Sequence, residues 1–177
     1  MFAPTPFYQL LLTFSGYRSY TFAILFVTGN LLLPQLTHLI PQGGLIFLPI
    51  YFFTLIAAYK FGWQVGLLTA VLSPVINNLL FGMPPAFVLP AILIKSCLLA
   101  ITAALVAARF KKLSLLHTLF VVVAYQVIGS LAEWLLTGSI DKAVQDFTTG
   151  IPGMLIQVVG GYVLLLKMKN YGNKTVG

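Results

Sequence analysis

Apolar residues run along this chain in six long stretches, each bounded closely by a proline, a glycine or a basic residue. They cover residues 19–33 (with room to continue past Pro34), 44–59, 62–81, 85–108, 114–137 and 150–167. A helix needs about 20 apolar residues to cross the hydrocarbon core of a bilayer, fewer where it is short or broken. The pattern predicts an all-α integral membrane protein: a single transmembrane domain of six helices over residues 1–177. Residues 1–18, "MFAPTPFYQLLLTFSGYR", are aromatic and leucine-rich and lack the basic leader of a signal peptide. They read as an interfacial segment entering the first span.

Composition agrees. The 177 residues are 59% hydrophobic and 7% charged, with a mean hydropathy of +0.99, whereas soluble domains carry about 25% charged residues. The net charge of +7 is therefore read as punctuation between spans rather than as a nucleic-acid surface. Arg18, Lys60, the Arg109/Lys111/Lys112 cluster and Lys167, Lys169 and Lys174 all fall on one side of the six-span arrangement. Lys142 falls on the other, and Asp141 and Asp146 share its loop. The positive-inside rule then predicts that both termini are cytoplasmic. The outer connections "PQLTHLIPQGG" and "TGSIDKAVQDFTTG" are long and the inner ones short, which suggests ligand capture from outside. Pro49 and Pro74 interrupt the second and third spans, as helices bordering transporter sites often do.

The fourth stretch, "PPAFVLPAILIKSCLLAITAALVAARFKK", carries Lys95 in its middle. A lysine at such depth costs several kcal/mol without a partner and marks a functional site by default. Gln126, Ser130, Glu133 and Thr137 lie on one face of the fifth span. Thr69, Ser73 and Asn77 do the same in the third, with Asn78 adjacent, and the sixth offers Gln157. Depth assigned from the spans puts Lys95 about 15 Å and Glu133 about 6 Å below the outer end. A lysine stem extended outward bridges most of that difference, so the two pair if the fourth and fifth spans are neighbours.

Lys95, Glu133, Asn77, Asn78, Gln126 and Gln157, with His38 and Gln42 of the first outer loop and Trp134 beside Glu133, form the candidate ligand-binding set. Each has a bland alternative: interhelical hydrogen bonding for the amides, solvent contact for His38, an aromatic-belt role for Trp134 and for Trp63.

Small residues recur every four positions at Ser15/Ser19/Ala23, at Gly62/Gly66/Ala70 and at Ser96/Ala100/Ala104/Ala108. Such seams let helix backbones approach closely, inside the bundle or against another membrane protein. The chain has no phosphate-cradling G-x-x-x-x-G-K-[ST] loop, and Cys97 stands alone as a buried apolar thiol, outside any metal-ligand pattern. No catalytic residue, cofactor or metal is expected. Two rival readings stay open: a membrane enzyme using Glu133, Lys95 and His38 for acid–base work on a lipid or small molecule, and a structural subunit using the seams.

The run "LLLPQLTHLIPQGGLIFLPIYFFTLIAAYKFGWQVGLLTAVLSPVINNLLFG", together with size and six spans, resembles the first three helices of the substrate-binding S components of energy-coupling-factor (ECF) vitamin transporters. The resemblance implies an S component in the bacterial cytoplasmic membrane that binds a vitamin-like small molecule near the outer face. It also implies a transmembrane coupling protein and two ATPase subunits as partners. A small-residue seam in the first span meets the coupling protein in that family. Ser15, Ser19 and Ala23 stand at the equivalent place, with Val27 breaking the row, so Gly62, Gly66 and Ala70 are a second docking candidate.

The topology has a direct test. In a Cys97→Ser background, Gly43→Cys and Asp141→Cys are expected to react with an impermeant thiol reagent from outside. Lys60→Cys and Lys112→Cys are not, and labelling of Lys112→Cys in intact cells would overturn the six-span arrangement.

Overall fold

A computed structural model describes residues 4–170; Lys174 and the first three residues of the N-terminal segment lie outside that range. A two-residue strand β1 (Thr5–Pro6) precedes helix α1 (Tyr17–Thr37), then α2 (Gly43–Phe47), a 3₁₀ turn (Pro49–Tyr51) and α3 (Phe52–Phe61). Next come α4 (Trp63–Phe81), α5 (Leu89–Phe110), strand β2 (Lys112–Leu113), α6 (Leu115–Thr137) and α7 (Ile140–Thr148). The chain closes with α8 (Ile151–Leu155), a π turn (Ile156–Gly160) and α9 (Gly161–Met168), one continuous apolar stretch. Among the described residues five helices are long and apolar enough to cross a membrane: α1, α4, α5, α6 and the Ile151–Met168 stretch. This is the architecture of a multi-pass membrane protein. The helix expected from residue 19 to 33 does run through Pro34, and that expected from residue 85 starts only at Leu89.

The second apolar stretch is not one unbroken helix. Leu48, before Pro49, adopts the left-handed conformation (φ +47°) and ends α2 there, and Pro49 has no amide proton to continue the helical hydrogen bonds. Beyond the 3₁₀ turn, α3 is only ten residues long, about 15 Å, against a hydrocarbon core of about 30 Å. Its burial explains how so short a helix is tolerated. Every residue from Thr54 to Phe61 is buried, and a helix apolar on all sides belongs in a core. Helices α1, α4, α5 and α9 surround it. Backbone irregularity at membrane depth is sustainable only where protein covers it, and here α3 is the axis of the bundle. The outer helices turn apolar side chains such as Ile24, Leu105, Phe120 and Val159 outward instead.

Asn30 of α1 fastens this axis. Its Nδ2 donates to Thr54 Oγ1 (3.0 Å) and Ser73 Oγ (3.1 Å), and its Oδ1 accepts the Phe53 amide (3.1 Å). That amide lies in the first turn of α3 and has no carbonyl of its own helix to bond.

The described part of the N-terminal segment straps one end of the bundle. Thr5 and Pro6 pair antiparallel with Leu113 and Lys112, the Phe7 amide donates to the Lys111 carbonyl (3.0 Å), and Leu10 donates to the Lys60 carbonyl (2.8 Å). Gln9 Nε2 reaches the carbonyls of Ala58, Tyr59 and Ala104 at 3.2–3.4 Å, so the strap caps the end of α3. Lys60 is buried rather than a free loop charge. Its ammonium donates to the Tyr8 and Lys169 carbonyls (3.1 and 3.3 Å) and stands 4.9 Å from the Phe7 ring centre. Both described ends of the chain therefore meet at one end of the bundle. With Lys60 and Gly43 buried, Asp141 and Lys112 remain the exposed positions suited to thiol labelling.

The small residues of the two candidate docking seams pack mostly inside the chain. Ser19, Ala23, Gly62, Gly66 and Ala70 are all buried, and of the six docking candidates only Ser15 is exposed. At Gly66 a Cβ would come within 2.5 Å of Ala58 Cβ and 3.3 Å of Ala100 Cβ, so this glycine sets the approach of α3, α4 and α5. Gly66→Leu is accordingly expected to lower the melting temperature of the isolated chain, by overpacking of about 1–3 kcal/mol or more. A docking seam would leave the isolated chain's melting temperature unchanged.

Candidate functional site

Lys95 lies in the first third of α5 and is 3% exposed. Its stem crosses α6 at Gly129, where a Cβ would stand 2.5 Å from Lys95 Cγ; only glycine leaves that channel open. The ammonium then meets two carboxylates. Glu133 Oε2 lies at 2.5 Å and Asp146 Oδ2 at 2.8 Å. The pairing of Lys95 with Glu133 is direct, as the depths along the sequence allow.

By sequence Asp146 is a loop acid marking one membrane side, and the structure makes it the third member of the cluster. The segment carrying it is a helix, α7. Ser139 caps its start, accepting the Lys142 amide at 3.4 Å, and Ile140, Ala143, Val144 and Phe147 follow helical spacing. Ala143 and Asp146, three residues apart and so on one face, are its buried residues. The signal was legible in that spacing, but a short polar segment between two spans resembles a loop until its partner is known. Lys95 thus joins α5, α6 and α7 through one cation. Desolvating three charges is expensive, and such a cluster survives only with close geometry of this kind.

Beside the cluster, at the end of the bundle opposite the strap, lies a cavity of about 570 Å³, within the range of small-molecule sites. It opens where the axis breaks: Pro49 and Ile50, at the start of the 3₁₀ turn, line it. Pro34 and Ile92 add further apolar wall, and Lys142 and Gln145 of α7 reach it as well. Of the candidate residues, His38, Gln42, Asn77 and Glu133 line this cavity. His38 and Gln42 are exposed, whereas Asn77 is 2% and Glu133 8% exposed. The Asn77 amide bonds Gln35 at one end (3.4 Å).

The other candidates lie elsewhere. Lys95 stands behind Glu133 and is not part of the wall. Asn78 donates to the Pro84 carbonyl (2.6 Å) and pins the turn between α4 and α5. Trp134 is exposed and does not line the cavity. Gln126 and Gln157 are buried deeper. Gln157, in the π turn, accepts the Tyr125 hydroxyl (2.7 Å), while its Nε2, both ends of the Gln126 amide and the hydroxyls of Ser96 and Ser130 have no hydrogen-bond partner among the described residues. Each such group costs about 1–3 kcal/mol. Among the described residues no group of three His, Cys, Asp or Glu is placed to hold a metal ion.

No protein family, curated protein or solved structure matches this chain. The functional reading rests on the residues and their arrangement.

The cluster predicts an ordered set of substitutions. Lys95→Met leaves two buried carboxylates facing each other and is expected to cost about 3–5 kcal/mol, read as a large fall in melting temperature. Asp146→Asn keeps Lys95 and Glu133 one to one, so the melting temperature should change little. Amide exchange over residues 140–148 should nevertheless quicken, because α7 loses its tie to α5. Equal melting temperatures for wild type and Lys95→Met would contradict this account of the cluster.

Proposed function

We propose that this chain is the membrane-embedded substrate-binding subunit of an ECF-type importer, capturing a vitamin-sized molecule in the cavity beside Glu133. The observation that carries the proposal is the cavity itself, open at the end of the bundle opposite the strap and sized for a small metabolite. The short amphipathic helix α7 borders its mouth and is tied to the bundle by one ion pair, an arrangement suited to opening and closing over a ligand. In this reading the chain crosses a bacterial cytoplasmic membrane six times, with the broken α2–α3 stretch as the second pass. Both termini and the strap are cytoplasmic, and the cavity faces outward. The chain carries no nucleotide-binding loop, so energy comes from two ATPase subunits through a transmembrane coupling protein. That partner docks on surface other than the buried seams.

Mass spectrometry of small molecules released from gently solubilised protein tests the proposal. A co-purified vitamin-like compound is the expected result, and vesicles holding this chain alone should bind that compound without concentrating it. A lipid turnover product would redirect the reading to a membrane enzyme. Accumulation against a gradient by this chain alone would replace it with a secondary transporter.

A further inference from the structure

The charges around Lys95 do not cancel. One ammonium faces two carboxylates, Glu133 and Asp146, and all three residues are buried. With all three ionised the cluster carries one net negative charge, in surroundings where an uncompensated charge is costly. The two carboxylates are not equivalent. Asp146 is fixed between α7 and Lys95, whereas Glu133 bonds Lys95 through Oε2 and also forms part of the cavity wall. The excess charge is therefore presented to the cavity.

Other charged and titratable groups near the cavity do not balance it. Lys142 lines the rim but is exposed, so water and salt screen it. His38, also on the rim, is exposed as well. An independent feature points to the same place. Asn77 is almost fully buried and lines the cavity, yet only one end of its amide is engaged, by Gln35. The other end has no partner among the described residues. Much of the remaining wall is apolar, with Pro34, Pro49, Ile50 and Ile92 contributing.

We infer that the cavity takes a ligand bearing a single positive charge on nitrogen, whether a protonated amine, a quaternary ammonium or a cationic heterocycle. The cation sits against Glu133, the free end of the Asn77 amide bonds a polar edge, and an apolar body fills the prolyl and aliphatic wall. The inference rests on reading the cavity as a capture site and adds the charge class of what is captured. It also explains the two-to-one arrangement: the bound cation supplies the missing charge and leaves the tie between Lys95 and α7 intact.

The test uses the purified full chain and four probes built on one phenyl ring: benzylamine, benzyltrimethylammonium, benzyl alcohol and benzoate, titrated at neutral pH by calorimetry. The two cations are expected to bind at least about tenfold more tightly than the alcohol, about 1.4 kcal/mol, with benzoate weakest. Glu133→Gln leaves Lys95 and Asp146 one to one, so it should fold and should lose the preference for cations. Equal binding of amine and alcohol, a preference for benzoate, a cation preference that survives in Glu133→Gln, or no binding of any probe at millimolar concentration each overturns the inference. If Glu133→Gln does not fold, the ranking of the four probes on the wild-type chain decides alone. A neutral or anionic vitamin-like compound released from the purified protein would refute this inference while leaving the capture reading in place. With neither a released compound nor a bound probe, both fall.

Discussion

In lipid every backbone amide and carbonyl has to find a partner inside the protein, and the architecture of this chain depends on how it meets that requirement at one weak place. The weak place is the second apolar stretch, which Pro49 breaks and which leaves only ten residues of regular helix in α3. Facing lipid, such a break would expose unpaired groups. At the axis of the bundle it is covered by four neighbouring helices. Asn30 bonds the amide of Phe53 near one end of α3, and Gln9 and Leu10 meet its terminal carbonyls at the other.

That solution also creates the cavity. Because α3 is short, the bundle is not filled along its whole length, and the space beyond the 3₁₀ turn is walled by Pro49, Ile50 and their neighbours instead of by another helical turn. A proline that would otherwise count as a helix defect thus determines where the cavity opens. The opposite end is occupied by the strap, which runs from β1 to Leu12, and by the buried Lys60. The two ends differ because one is closed by backbone pairing, whereas the other opens into the cavity beside a short helix held by an ion pair.

Lys95 links that asymmetry to chemistry. Its ammonium holds α5, α6 and α7 at once, so the residue most anomalous by hydropathy organises the elements beside the cavity while remaining outside its wall. The carboxylate that does form the wall is Glu133, and its character depends on what stands behind it. The small residues follow the same logic. Gly129 and Gly66 are required by what crosses them, Lys95 in one case and Ala58 in the other.

The amino-acid sequence by itself determined the helical, membrane-embedded character of the chain, the approximate limits of its five long helices, and the oddity of Lys95. Those depend on hydropathy over some 20 residues and on the cost of a single charge, both local properties. It also brought Glu133 within reach of Lys95, because helix rise alone converts position into depth. Only the tertiary structure decided the rest. Whether a seam of small residues faces a partner or a neighbouring helix cannot be read from its spacing, and Ser19, Ala23 and Gly66 proved to be internal. The stretch from residue 44 to 59 has the hydropathy of a span, yet its place at the axis depends on which helices surround it. Asp146 lies 51 positions from Lys95, so their pairing is a property of how α7 folds back and not of any local pattern. Long-range contacts of this kind are set by packing between elements, and a sequence records them only in residues whose cost is unexplained until the partner is found.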